Sequence, residues 1–240
     1  MERKLPFKLD KAGIWYIDFL DITIDEIFFD KINSSYRDYT HFFKIEEIND
    51  YIIKECRKNS SFFDRYRELK LLKQLIKKQE KLLNIDFPVA YYKRNNRLEG
   101  IVIPYYKNAV SLKELLHLHT FEDLHVFYNH ANNEIDNLIS LLLDILKLIS
   151  IMYDNGIYYL DIHSGNFLVY NNCVKIIDFE PGRIYFKKSN LNTRLILNNY
   201  ALLVDKISRM YGFKEIFFRS GIDFYNTEKS IESLRKKLER

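Results

Sequence analysis

Residues 158–184, YYLDIHSGNFLVYNNCVKIIDFEPGRI, constrain this chain more than any other stretch. Two short apolar runs, FLVY and VKII, flank Asn171-Asn172 and read as a β-hairpin. Asp161 and Asn166 are spaced D-x-x-x-x-N ahead of the first strand, and the second strand delivers Asp178. Pairing the two strands brings Asn166 and Asp178 to the same end, where they can share a hard cation such as nucleotide-bound Mg²⁺. Asp161, on the rim, is placed to take or orient a hydroxyl proton. The bland alternative is a set of strand-end polar residues that cap turns.

The rest of the chain divides by pattern. ITIDEIFF, THFFKI and DYIIKEC, within residues 22–56, read as strands between the polar turns NSSYRD and EEIN. Residues 60–83 read as a helix, with Ser60 or Ser61 as cap and Phe63, Tyr66, Leu69, Leu72 and Ile76 at helical spacing. VAYYKR and LEGIVIPYY form a second hairpin across NNR. After Pro104 the chain turns helical. SLKELLHL is capped by Ser111, and the long helix from Glu134 to Tyr153 stops at Asn155-Gly156. NTRLILNNYALLVDKISRMYG and TEKSIESLRKKLER complete the helical part. The expected class is α+β, with residues 1–104 strand-rich and residues 105–240 mostly helical. A chain of 240 residues suffices for two small lobes around sizeable cores.

Composition narrows the partners. A net charge of +4 is too mild to argue for nucleic acid, and none is expected. Cys56 and Cys173 show no CxxC spacing, which points to a reducing compartment. The opening MERKLPFKLDKAGIWY lacks the apolar core of a secretory signal. Leu138 to Met152, interrupted by Asp144 and Lys147, falls short of the ~20 residues of a membrane span and reads as a buried helix. A cytoplasmic protein is the expectation. His117, His119, His125 and His130 crowd one region without a zinc-motif spacing and read as surface helix and loop. Lys70, Lys73, Lys77 and Lys81 share a helical face; a solvated stripe is the default, and an anionic lipid or polyphosphate partner the alternative.

Leu160-Asp161-Ile162-His163-Ser164-Gly165-Asn166 and Ile177-Asp178-Phe179-Glu180 resemble the catalytic and metal-binding segments of the protein-kinase-like superfamily. The resemblance implies a two-lobed fold, a small β-rich lobe followed by a mostly helical one, that uses ATP and Mg²⁺. It implies Asp161 as the catalytic residue and Asn166 and Asp178 as the metal ligands. Tyr51-Ile52-Ile53-Lys54 looks like the strand that carries the phosphate-pairing lysine, with Lys44 of FFKIEE as a rival. Glu68 looks like the glutamate partner of Lys54; its bland role is an exposed helix acid beside Arg65 and Lys73. Ile103-Pro104-Tyr105-Tyr106 looks like the hinge whose backbone reads the adenine edge.

Departures from the pattern narrow the branch. No glycine stands near Asn33-Ser34-Ser35-Tyr36, where the nucleotide loop belongs. Tyr159-Leu160 replaces the usual His-Arg, so no clamp for an activation-loop phosphate is expected. His163 replaces the lysine of protein Ser/Thr kinases, Glu180 the glycine of DFG, and no Ala-Pro-Glu follows. DIHSGN is closer to the aminoglycoside-type kinases. DIHSGNFLV together with IIDFEPGR and its Arg183 is most similar to small bacterial kinases of lipopolysaccharide-core heptose or Kdo. The implied acceptor is a hydroxyl, on a glycan before a protein. The stripe at 70–81 and the basic run Arg235-Lys236-Lys237 suit peripheral contact with anionic lipid at an inner membrane face. A compact protein Ser/Thr kinase and a non-catalytic pseudokinase scaffold are the competing expectations.

Overall fold

The computed structural model describes residues 6–27, 42–55, 62–79, 82, 85–95, 97–117, 126–131 and 134–211. The fold is α+β, with a seven-stranded mixed sheet, two small antiparallel sheets and several helices. It separates into two units, Met1–Lys107 and Asn108–Arg240. The division falls three residues after the expected one. The Tyr105 N–H donates to the Asp50 carbonyl at 2.8 Å and the Tyr106 hydroxyl to Asp86 at 2.6 Å, so both tyrosines stay with the first unit.

The first unit holds β1 (Lys8–Leu9), β2 (Trp15–Asp18), β3 (Ile24–Ile27), β4 (Phe42–Ile45), β5 (Ile48–Glu55), α1 (Phe62–Gln79), β6 (Ala90–Arg94) and β7 (Arg97–Pro104). Their order in the sheet is β1-β2-β6-β7-β5-β4-β3. β3, β4 and β5 form an antiparallel meander, and β7 pairs with β5 on one side and β6 on the other. Alternation along the strands sends Ile53, Ala90, Tyr92 and Val102, with Ile17 and Ile45, to one buried face. Lys54 points to the other face, in the cross-strand row Phe42–Lys54–Ile101–Tyr91–Tyr16.

β1 and β2 lie ahead of the expected strands. Their place comes from a long-range contact: β2 runs parallel to β6, matching Tyr16 with Tyr91. α1 buries Leu71, Leu72 and Leu75 at the spacing of one helical face and lies against β6. Residues 80, 81 and 83 of the expected helix lie outside the described residues, and Leu82 is not helical. The Gln79 amide donates to the Leu82 and Ile85 carbonyls, and its oxygen accepts from the Phe87 N–H. Those bonds turn the chain back toward β6.

Gly100 on β7 makes the pairing with β5 possible. A Cβ there would lie 2.5 Å from the Lys54 carbonyl oxygen and 3.0 Å from the Glu55 Cα, both of them backbone atoms. Gly100→Ala is expected to destabilise the protein by about 1–3 kcal/mol, because neither atom can rotate away. Urea unfolding measures it; an alanine variant with an unchanged midpoint would mean that the strands stand farther apart.

The second unit holds β8 (Val110–Ser111), α2 (Leu112–His117), α3 (Glu134–Asp154), β9 (Tyr158–Tyr159), β10 (Phe167–Tyr170), β11 (Cys173–Ile176), β12 (Ile184–Tyr185) and α4 (Asn190–Tyr211). β10 sits between β11 and β8, and β12 pairs with β9. Ser111 and Glu114 cap α2 reciprocally: Ser111 Oγ accepts from the Glu114 N–H at 3.1 Å, and Glu114 Oε2 accepts from the Ser111 N–H at 2.8 Å. α3 is the buried centre, with Leu138, Leu141, Leu142, Ile145, Leu146, Ile149 and Met152 all inside. It ends in a Schellman turn: Gly156 takes φ +73°, and the Ile157 N–H reaches back to the Met152 carbonyl at 2.8 Å. Among the described residues no helix is long and apolar enough to cross a membrane.

The Asn33–Tyr36 loop, Cys56, the Ser60/Ser61 cap, Lys81, His119, His125 and the TEKSIESLRKKLER helix lie outside the described residues. His117 ends α2. His130 belongs to a local brace: its Nε2 lies 2.7 Å from the Asn172 carbonyl, and its backbone N–H donates to the buried Asn137.

Candidate functional site

The β10–β11 hairpin is closed by Asn171 and Asn172, both with φ near +50–60°, as a primed two-residue turn requires. Its register sets Phe167 opposite Ile176, and at the open end the Ile177 N–H donates to the Asn166 carbonyl at 3.0 Å. Asn166 therefore stands one step before the first strand, and Asp178 two residues beyond the end of the second. The expected gathering at one end follows from that register.

Asn166 is buried, and its side chain is directed at Asp161. Nδ2 donates to the Asp161 Oδ2 at 2.9 Å and to the Asp161 carbonyl at 3.0 Å. The amide nitrogen is thus committed to Asp161. His163 begins the short 3₁₀ turn Ser164–Asn166. Its Nδ1 accepts the Gly165 N–H at 3.1 Å, so the proton of the neutral ring sits on Nε2, which lies 3.6 Å from the Asp161 Oδ2. Arg183 brings its Nε to 3.8 Å from the Asp161 Oδ1.

These neighbours hold the Asp161 carboxyl below its ordinary value. The His163 imidazole contributes most, the Asn166 amide and the Arg183 guanidinium contribute after it, and burial opposes them. A depressed folded-state value means that this carboxylate stabilises the fold fully above the ordinary 3.8 and loses that contribution as the pH falls through the lowered value. Asp161→Asn removes the titration. The stability gap between wild type and variant is expected to be widest at neutral pH and to close in acid, as read by thermal unfolding across pH. A gap that is constant down to acid unfolding would contradict the assignment.

Tyr159 precedes Asp161 by two positions. It is buried at 1 % exposure, and its hydroxyl donates to the Ile177 carbonyl at 3.1 Å. That bond ties the Asp161 loop to the Asp178 segment. Burial first, then the negative charges of Asp161, Asp178 and Glu180, push the phenol well above its ordinary value. Three carboxylates thus act on one buried hydroxyl, and Phe179 packs against the same ring at 5.8 Å between centroids. Asp178 takes φ +66°, a conformation that a non-glycine residue adopts at a cost and that recurs at functional sites.

Among the described residues no group of three or more His, Cys, Asp or Glu side chains forms a ready metal cage. Asn166 and Asp178 offer one amide oxygen and one carboxylate. That is the sparse protein set Mg²⁺ takes when phosphate and water complete its octahedron.

In the first unit Lys54 is half-buried on β5, whereas its rival Lys44 on β4 is exposed. Glu68 precedes Leu71, Leu72 and Leu75 by three, four and seven positions, which sets it on the buried stripe of α1 and not on the solvent face. Pro104 closes β7 opposite Tyr51. Pro104 has no N–H, and that of Tyr105 goes to Asp50, so neither position has a main-chain donor to spare.

Two supports of the site have no local signal. Asn199 of α4 donates to the Leu160 carbonyl at 2.6 Å, and the Leu160 N–H donates to the Arg183 carbonyl at 2.8 Å. The peptide groups just ahead of Asp161 are therefore held from both sides, by residues more than twenty positions away. No protein-family model matches this chain, and no curated protein matches it either.

Proposed function

We propose that the chain is an ATP-dependent kinase of the protein-kinase-like superfamily. Its acceptor is a hydroxyl, on a sugar of the lipopolysaccharide core or a related glycan, and its two units are the two lobes of that fold. The observation that carries the reading is the Asp161–Asn166 pair joined to a hairpin that delivers Asp178 in a left-handed conformation. Turn-capping residues do not need a buried amide bonded twice to a neighbouring aspartate. A second support is topological. Lys54 lies on the third strand of an up-and-down meander, followed by a helix that carries Glu68 on its inner stripe.

In this reading Asp161 accepts or orients the proton of the attacking hydroxyl. Its lowered pKa keeps it ionised at neutral pH, and the amide of Asn166 fixes its angle. Lys54, with Glu68 as partner, supplies a fixed positive charge for the phosphates. The segment from Pro104 to Tyr106 borders the adenine. Asn166 and Asp178 hold Mg²⁺, which when bound neutralises charge on the phosphates. Positioning supplies most of the rate.

The test is transfer of label from γ-labelled ATP to fractionated cell material, with Asp161→Asn as control. Label in a glycan or glycolipid fraction, absent with the variant, supports the reading. Label in protein alone replaces it with a compact Ser/Thr kinase. No label, together with no effect of Mg·ATP on thermal unfolding, replaces it with a scaffold.

A further inference from the structure

We propose that Arg183 is an oxyanion-binding residue at the rim of the Asp161 site, taking a phosphate or carboxylate group. The inference rests on the phosphotransfer reading and deepens it by assigning an anionic group to the acceptor or to the phosphoryl in transit.

The backbone of Arg183 is fixed while its head group is not. Its N–H donates to the Glu180 carbonyl at 3.2 Å, and its carbonyl accepts the Leu160 N–H at 2.8 Å. Gly182, at φ +85°, makes the turn that aims the residue, and Ile184 enters β12 directly after it. The side chain stays 61 % exposed and meets Asp161 only through Nε, at 3.8 Å. Among the described residues its two terminal nitrogens have no partner. Arginine–carboxylate pairs are frequently two-pronged, at hydrogen-bond distance. Here the fork is held off the carboxylate and turned outward.

The sign of the local charge gives the ligand class. Asp161, Asp178 and Glu180 all act on the Tyr159 hydroxyl, so an anion approaching these residues is repelled from most directions. A guanidinium at the edge opens one direction, and its planar fork matches phosphate and carboxylate oxygens. Arg183 is thus a specificity-determining residue: it admits an oxyanion beside the base where a neutral group gains nothing.

Two sources carry the same chemistry, the terminal phosphate of the nucleotide and an acidic group on the acceptor. Equilibrium binding by calorimetry separates them, using wild type, Arg183→Gln and Arg183→Lys with four probes: Mg·ATP, Mg·ADP, glucose 6-phosphate and glucose. In Arg183→Gln a loss of about tenfold or more is expected for one anionic probe, with partial recovery in Arg183→Lys and no change for glucose. A loss confined to Mg·ATP, with Mg·ADP unchanged, supports the proposal with the terminal phosphate as the oxyanion. A loss for glucose 6-phosphate supports it with the acceptor as the source. Equal binding of every probe by wild type and Arg183→Gln overturns it. If wild type fails to bind Mg·ATP at all, the phosphotransfer reading falls; the glucose 6-phosphate arm alone then decides for or against Arg183.

Discussion

Asp161→Asn is expected to lower phosphoryl transfer by about 10²–10⁴-fold while nucleotide affinity stays within a few-fold of wild type. The substitution is nearly isosteric. The replacement amide still offers an oxygen to Nδ2 of Asn166, so the 2.9 Å contact that shapes the loop has a counterpart. What disappears is the negative charge and the ability to accept a proton from the acceptor hydroxyl. Single-turnover transfer measures the chemical step, and nucleotide titration measures binding. Unchanged turnover would remove Asp161 from the chemistry and, with it, the main reason to read the site as a kinase. Joint loss of binding and turnover would instead point to collapse of the loop, which the thermal midpoint would reveal.

Asp178→Gly separates metal binding from folding. Glycine adopts the φ of +66° without strain, so the unliganded protein is expected to stay folded and to unfold in a single cooperative transition. The relief of strain offsets the greater freedom of glycine in the unfolded chain. Without the carboxylate, the stabilisation by Mg·ATP is expected to vanish. At a ligand concentration 100 times Kd, that stabilisation in wild type is worth about 2.7 kcal/mol. Scanning calorimetry with and without Mg·ATP reads both quantities on the same samples. A variant that keeps its full magnesium-dependent shift would show that the ion, if it binds, is held elsewhere.

Much of the candidate site was readable because it is local. The Asn171-Asn172 turn, the D-x-x-x-x-N spacing and the two apolar runs lie within a few turns of chain, and their pairing follows from alternation alone. The Ser111–Glu114 cap and the Gly156 stop are local in the same sense. Lys44 and Lys54 sit in apolar strands on the same face of the sheet, and their difference in exposure was not legible in sequence. What sequence could not reveal depends on distant partners. Asn199 looks like an ordinary polar helix residue until it meets Leu160, 39 positions earlier. β9 and β12 are two residues each and exist only because they pair with one another. Tyr159 read as a departure from the superfamily pattern; its hydroxyl bond to Ile177 gives it a bracing role.

The parallel match between Tyr16 and Tyr91 has a consequence for how the chain is made. On a ribosome the segment that becomes β2 emerges long before β6 exists, so it must remain unpaired until about 75 further residues (91 − 16) have been synthesised. Once seated, it shields the backbone groups of β6 that would otherwise invite a neighbouring molecule's strand. A copy shortened from its amino end to residue 22 would lose Ile17 from the core and bare the edge of β6, and is expected to self-associate.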